Sequence, residues 1–223
     1  DKRVLVTGHT GFKGAWLSLW LHHLGARVCG FALSPPTDPS LFESLRLAQK
    51  IEDRRGDIRE PNILKQTVAQ TQPEFIFHLA AQPLVRRAYR DPIETLESNI
   101  LGTAQLLEAV RKSNLSCTVV AVTSDKCYEP GPAGGEHRET DRLGGTDPYS
   151  ASKGCAEIVI ASYRRSYFPA ERYPQHGVAL ASARAGNVIG GGDWGEDRLV
   201  PDLIRALRSD RPARIRNPQA VRP

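Results

Sequence analysis

The stretch Val4-Leu5-Val6-Thr7-Gly8-His9-Thr10-Gly11-Phe12-Lys13-Gly14-Ala15-Trp16-Leu17 constrains the fold more than any other part of the chain. An apolar run of strand length passes through three glycines into a run of helical period. A parallel strand ending at Thr7 must reverse at once, so Gly8 supplies a backbone conformation that side chains resist. Gly11 removes the Cβ that would hold a pyrophosphate away from the backbone, and Gly14 lets helix and strand pack closely. The first-turn N–H groups of such a helix have no partners of their own and, with the helix dipole, form an anion site. The spacing is G-x-x-G-x-x-G rather than G-x-G-x-x-G. The turn is expected to grip a nucleotide.

Downstream, apolar runs of strand length alternate with longer runs of helical period. Residues 12–24 place Trp16, Leu17, Trp20, Leu21 and Leu24 on one helical face. Arg27–Leu33 reads as a second strand, ended by Pro35-Pro36. A short helix is expected at 41–50, a third strand ending near Gly56-Asp57-Ile58, and a helix opening at Pro61, a favoured first helical position. Phe75–Leu79 is the fourth strand, 94–113 a long helix, and Cys117–Thr123 the fifth strand. A glycine-rich stretch at 129–147 is too irregular for an element and long enough to point to function. A helix over 148–167 and a strand at Val178–Ala183 follow. This alternation predicts an α/β fold, a Rossmann-like doubly wound parallel sheet with helices on both faces. Ligands of such sheets bind beyond the carboxyl ends of the strands, where the chemistry-bearing residues of this chain fall.

A chain of 223 residues makes one domain, or one and part of another. No apolar stretch approaches the roughly 20 residues of a membrane helix, and the chain opens directly into a strand, with no room for a signal peptide. Methionine is absent even at position 1, and the chain stops in an Arg/Pro-rich stretch, so a fragment trimmed at both ends is expected. The formal charge of +5 sits largely in late arginines, among them Arg198, Arg205, Arg208, Arg211, Arg214, Arg216 and Arg222. No recognition-helix or aromatic-interleaved pattern accompanies them, and a phosphorylated small molecule accounts for the charge as well as nucleic acid does. Cys29, Cys117, Cys127 and Cys155 lack metal-ligand spacing, so no metal is expected and the thiols read as reduced, in a cytoplasmic protein.

Two further constellations carry chemistry. In Tyr149-Ser150-Ala151-Ser152-Lys153, residues four apart share a helical face, so the ammonium can approach the phenol and a cofactor ribose together. A nearby positive charge favours phenolate, which would lower the tyrosine toward working pH and make it a general base. In Thr123-Ser124-Asp125-Lys126-Cys127-Tyr128, a hydroxyl, a carboxyl and an amine follow a strand and can divide proton transfers, unless they are a helix cap and solvated charges.

Taken together, the turn Thr7–Gly14, Asp57-Ile58, Asn99–Thr103, Ser124-Asp125-Lys126 and Tyr149–Lys153 resemble the extended short-chain dehydrogenase/reductases, which include nucleotide-sugar epimerases and dehydratases. More narrowly, Gly8–Gly14, Ala80–Arg86, Thr123–Tyr128 and Arg184–Trp194 resemble the family of CDP-glucose 4,6-dehydratases, over essentially the whole chain. The resemblance implies NAD as cofactor and CDP-glucose as the nucleotide-sugar substrate, converted to a 4-keto-6-deoxy sugar. It assigns Tyr149 and Lys153 to the 4-hydroxyl proton, Ser124 to the 4-oxygen, Asp125 to protonation of the departing 6-hydroxyl and Lys126 to the C5 proton. In the related dTDP-glucose enzymes a glutamate stands at the position of Lys126. By the same analogy Gly8, Gly11, Phe12, Lys13 and Gly14 surround the pyrophosphate and Asp57 and Ile58 face adenine. Leu79, Ala80 and Ala81 line ribose and nicotinamide, and Asn99, Thr123, Tyr149 and Lys153 are near the cofactor. Gln82, Asn187, Asp193, Trp194, Arg198 and Arg222 are assigned to the substrate. Ala32, Leu33 and Ser34 follow the second strand where an acidic residue usually receives the adenosine ribose; NAD is still preferred, since no arginine sits there for a 2′-phosphate. The expected division is a Rossmann domain over 1–185 and the beginning of a substrate-binding region over 186–223. Ile158, Val159 and Ile160, with the helix at 94–113, point to a helical dimer interface, burial against the sheet being the alternative. A nucleotide-sugar C4 epimerase, another nucleotide-sugar dehydratase and a non-catalytic dinucleotide-binding protein stay open as other functions.

Overall fold

Val4, Leu5 and Val6 are buried on both faces of the central strand β1 (Arg3–Thr7), as a strand covered by helices on each side requires. The computed structural model describes residues 1–130 and 136–219. In it β1 is followed by α1 (Phe12–His23), β2 (Arg27–Ala32), α2 (Leu41–Ser44), β3 (Glu52–Arg55), α3 (Pro61–Thr71) and β4 (Phe75–His78). Next come α4 (Val85–Arg90), α5 (Pro92–Leu96), a π-helical turn over Glu97–Leu101 and α6 (Gly102–Ser113). The chain continues through β5 (Cys117–Val122), α7 (Pro148–Ser166), α8 (Tyr173–His176), β6 (Val178–Ala183) and α9 (Leu199–Arg208).

The sheet has six parallel strands in the order β3-β2-β1-β4-β5-β6. Its order reverses between β1 and β4, which opens a crevice at their carboxyl ends. On one face Leu5, Phe31, Ile76 and Val119 pack against α3, α6 and α7 through Leu64, Val68, Leu106 and Ile160. On the other, Val4, Val6 and Val28 pack against Ala15 of α1 and Leu41 and Phe42 of α2. Each such apolar side chain, fully buried, stabilises the fold by roughly 1.5–3 kcal/mol. Along β6, Ala179, Ala181 and Ala183 remain exposed.

The predicted strands are all present, and the expected long helix over 94–113 is one run interrupted by the π turn. The apolar stripe of α1 is a correction. Trp16, Trp20 and Leu24 are exposed, and Gly14, Ala15 and Ser18 face the sheet instead. Close approach is the reason: a Cβ on Gly14 would lie 2.0 Å from the Gly8 carbonyl oxygen, so only small residues fit that face and the bulky ones turn outward.

Candidate active site

The glycine turn forms as its sequence requires. Gly8 has φ +79°, and a Cβ there would meet the Ala80 nitrogen at 2.7 Å, so the turn presses directly on the end of β4. Gly11 caps α1 without a side-chain acceptor, leaving the first-turn N–H groups for an external anion. The Thr7 hydroxyl accepts from the Leu79 and Ala80 N–H groups, both at 3.2 Å, and fastens β1 to β4 at the crevice. It donates in turn to Nδ1 of buried His78, 2.7 Å away. Since the Thr103 hydroxyl donates to the Asn99 carbonyl, Nε2 of His78 must carry the proton toward Thr103 at 3.0 Å. Burial, and then the charge of Lys153, pushes His78 down to about 3, so it is a neutral bridge.

Beyond β5, Ser124 opens a short 3₁₀ turn, accepting from the Lys126 N–H and donating to Asp125 Oδ1 at 3.0 Å. Lys126 Nζ lies 3.3 Å from Asp125 Oδ2 and is partly exposed. Asp147 caps α7 by accepting from the Ser150 N–H at 3.0 Å, and this start places Tyr149 and Lys153 on the buried side of the helix. The Asp125–Cys127 turn packs against α7, and Ser124 acts on the Tyr149 phenol, so the two constellations are neighbours. Burial pushes Lys153 down to about 8, helped by the charge of Lys13. The expected lowering of Tyr149 is not found: burial raises it, with Ser124 and Arg198 pulling down and Asp125 and Asp147 pushing up. Desolvation of the phenolate outweighs the neighbouring cations. Lys13 is held below the ordinary lysine range by burial and then by Arg198, with Asp125 opposing; its charge thus belongs to this cluster as well as to the turn.

The remaining assigned residues divide. Asp57 follows β3 and is held below the carboxylate range by hydrogen bonds from Arg59, and Ile58 is buried over Gly102. Leu79, Ala80 and Ala81 follow the carboxyl end of β4, where Thr7 holds the first two through their N–H groups. Asn99 is buried in the π turn, donating to the Gln82 carbonyl and to Ser152 Oγ and accepting from the Gln82 N–H. It braces the loop after β4 against α7. The Gln82 side chain is turned inward, donating to Thr95 Oγ1 and the Leu84 carbonyl and accepting from the Leu84 N–H. Asn187 is exposed, while Asp193 is fixed by Arg198 Nη1 at 2.9 Å and the Gly195 N–H at 3.0 Å. Trp194 is half-buried beneath the Arg208 guanidinium, and Arg222 lies outside the described residues.

Sequence reasoning missed Glu157, one helical turn beyond Lys153. It accepts from Thr123 Oγ1, from Ser182 Oγ at 2.9 Å and from Arg184 Nη2 at 2.9 Å. Burial pushes its carboxyl up, yet those three hydrogen bonds together hold it below the usual range. It joins α7 to the ends of β5 and β6. Its place four residues after Lys153 on the same helical face was the available signal.

The GDP-mannose 4,6 dehydratase family matches residues 5–169. The chain belongs to this family. Within the GDP-mannose 4,6 dehydratase family and its relatives, the CDP-glucose 4,6-dehydratase of Salmonella typhimurium is 54% identical over 222 residues, covering 100% of this chain and 62% of that protein. The chain therefore spans 62% of the length of that curated relative. The crystal structure of Thermus thermophilus UDP-glucose 4-epimerase in complex with NAD is 28% identical, with TM-score 0.71, covering 87% of this chain and 58% of that one. The dTDP-glucose 4,6-dehydratase DesIV of Streptomyces venezuelae, with NAD and DAU bound, has TM-score 0.78 at 24% identity and covers 93% of this chain and 62% of that one. At that identity the likeness shows the fold alone.

Proposed function

We propose that the whole protein is an NAD-dependent CDP-glucose 4,6-dehydratase, a hydro-lyase forming CDP-4-dehydro-6-deoxy-glucose and water. The observation that carries this reading is the packing of the Ser124-Asp125-Lys126 turn against α7, beside the buried Tyr149 phenol on which both Ser124 and Asp125 act. A base for oxidation and an acid–base pair for elimination then face one crevice. A C4 epimerase needs the first and has no use for the second.

The residues fit a dinucleotide. Gly8, Gly11 and Gly14 leave a cradle that side chains would fill, the uncapped α1 terminus with Phe12 and Lys13 receives a pyrophosphate, and Asp57 and Ile58 border the adenine end. NAD held there supplies the electron-pair acceptor and donor of the cycle. Tyr149 takes the proton of the sugar 4-hydroxyl, and Ser124 holds the 4-oxygen. Lys153, at about 8, can hold or release a proton near neutral pH. Once C4 is a ketone the C5 proton is acidic; Lys126 takes it as a free amine and gives it back to C5 when the hydride returns to C6. Asp125 protonates the departing 6-hydroxyl. Asn187, Asp193, Trp194, Arg198 and Arg222 are retained as the substrate side, where a guanidinium fork suits a diphosphate. The 186–223 stretch reads as the beginning of the substrate-binding region.

Ile158, exposed on α7, supports a helical dimer interface, whereas Ile160 is buried in the core. Among the described residues no helix is long and apolar enough to cross a membrane, and no cluster of metal-ligand residues occurs. All four cysteines are free, which supports a reducing, cytoplasmic setting.

The test is incubation of the full-length protein with CDP-glucose and NAD, reading the alkali-induced absorbance of a 4-keto-6-deoxy sugar. Tyr149→Phe should lower the rate by about 10²–10⁴-fold. Failure of the wild type to form product while binding NAD removes the CDP-glucose assignment.

A further inference from the structure

Trp16 stands on the exposed side of α1, one helical turn beyond Phe12, and its Nε1 donates to the Gly191 carbonyl at 2.9 Å. The two partners are 175 positions apart in the chain. Before Gly191, the segment leaving β6 is tied to the Ser124 turn by a bond from the Asp125 N–H to the Ala185 carbonyl at 3.1 Å. After it, Asp193 is fixed by Arg198 and by the Gly195 N–H. Among the described residues, the bond from Trp16 is the one hydrogen bond made to the stretch 186–192 between those anchors.

The apolar side chains of that stretch do not hold it down. Val188 and Ile189 are exposed and border, with Trp16 and Trp20, an open groove of about 480 Å³. Glycine is what meets the body of the domain. A Cβ on Gly190 would lie 3.0 Å from Cζ of Phe12, and at Gly192, with φ +82°, the Leu41 side chain occupies the place of a Cβ. The turn therefore rests on α1 and α2 through its backbone, and the indole bond sets where along α1 it rests.

Asn187 and Asp193, both assigned to the substrate, lie toward the two ends of this turn, while Phe12 and Lys13, assigned to the cofactor pyrophosphate, open the helix that holds it. We propose that Trp16 is a positioning residue for the nucleotide sugar: acting through Gly191, it holds the turn that presents Asn187 and Asp193 at a set place relative to the cofactor end of α1. The assignment rests on the nucleotide-sugar reading of the site. Without the bond the turn samples further conformations, and substrate binding has to supply the ordering that Trp16 provides in advance. Substrate binding should weaken while the chemical step and cofactor binding stay as they are.

The test uses the full-length protein in steady-state assays with CDP-glucose, with NADH affinity read by calorimetry and folding by circular dichroism. Trp16→Phe keeps an aromatic ring and removes the donor. It should raise KM for CDP-glucose about threefold or more, with kcat, the NADH Kd and Tm close to wild type. Trp20→Phe, one turn further along α1 and also exposed, should leave KM unchanged. A smaller rise in Trp16→Phe, or an equal rise in Trp20→Phe, overturns the proposal. A parallel loss of NADH affinity in Trp16→Phe also overturns it, since Trp16 then serves only the integrity of α1. If Trp16→Phe fails to fold, Gly190→Val decides: it crowds Phe12 from the turn side, and an unchanged KM counts against the positioning role. Wild-type protein that binds NADH but forms no product from CDP-glucose removes the functional reading and this proposal with it. Normal wild-type turnover with unchanged KM in the variants removes this proposal alone.

Discussion

Replacing Lys153 by methionine should stabilise the folded protein at neutral pH while removing a residue assigned to catalysis. Lys153 is 6% exposed, and burial, with a second contribution from Lys13, lowers it from 10.5 to about 8, against smaller opposing effects of Cys127 and Glu157. That displacement corresponds to a cost of up to about 3 kcal/mol for holding the charged ammonium in the fold. The folded-state value lies below the unfolded one. The cost is therefore fully present below pH 8 and is relieved as pH rises toward 10.5, where both states are neutral. Methionine has no charge to desolvate and fills a similar volume. Urea unfolding of both proteins across this range gives the comparison. Cys29, Cys117 and Cys127, pushed up by burial to about 12, 11 and 11, lose stability at alkaline pH in both proteins and cancel in the difference. Lys153→Met should be more stable at pH 7 by up to about 3 kcal/mol, roughly 6–12 °C in Tm, with the gap closing by about pH 10.5. A less stable variant at pH 7, or a gap independent of pH, refutes the reasoning.

Three other perturbations follow from the same geometry. Glu157→Gln places an amide donor against the Arg184 guanidinium and should lower stability by about 2–4 kcal/mol, seen as a lower urea midpoint with an unchanged m-value. His78, held at about 3 in the fold, gives stability that is present above its unfolded value of about 6.5 and is lost as pH falls toward 3, at about 1.4 kcal/mol per pH unit. His78→Asn should flatten that acid limb in urea midpoints measured between pH 7 and pH 4, and a slope unchanged in the variant counts against the neutral bridge. Gly14→Ala drives a Cβ to 2.0 Å from the Gly8 carbonyl oxygen, so the turn must shift; about 1–3 kcal/mol of stability should go, together with NADH binding, and normal NADH affinity would sink the cradle assignment.

The order of strands and helices was readable because it rests on local periodicity. Val4–Thr7, Phe75–His78 and Cys117–Val122 are apolar runs too short for helices, and the glycine spacing after β1 admits one kind of turn. Tyr149 and Lys153 were readable for the same reason, since four residues on a helix return to one face. The stripe of Trp16, Trp20 and Leu24 misled because helical period reveals a face but not what it meets; the 2.0 Å clearance at Gly14 turned the small residues inward. The inward hydrogen bonds of Gln82 to Thr95 and Leu84 were not legible either, because they join residues of separate elements.

By itself the sequence determined the elements, the glycine turn and the spacing of Ser124–Lys126 and of Tyr149 and Lys153, all set by interactions within one helical turn or one strand. The tertiary structure alone decided which strand ends meet. It set Arg55 of β3 against Leu33 after β2, tied Glu157 of α7 to Thr123 and Arg184, and buried Tyr149 and Lys153 deeply enough to move both away from their ordinary values. These are matters of desolvation and of contacts between residues far apart in the chain, and no local pattern carries them.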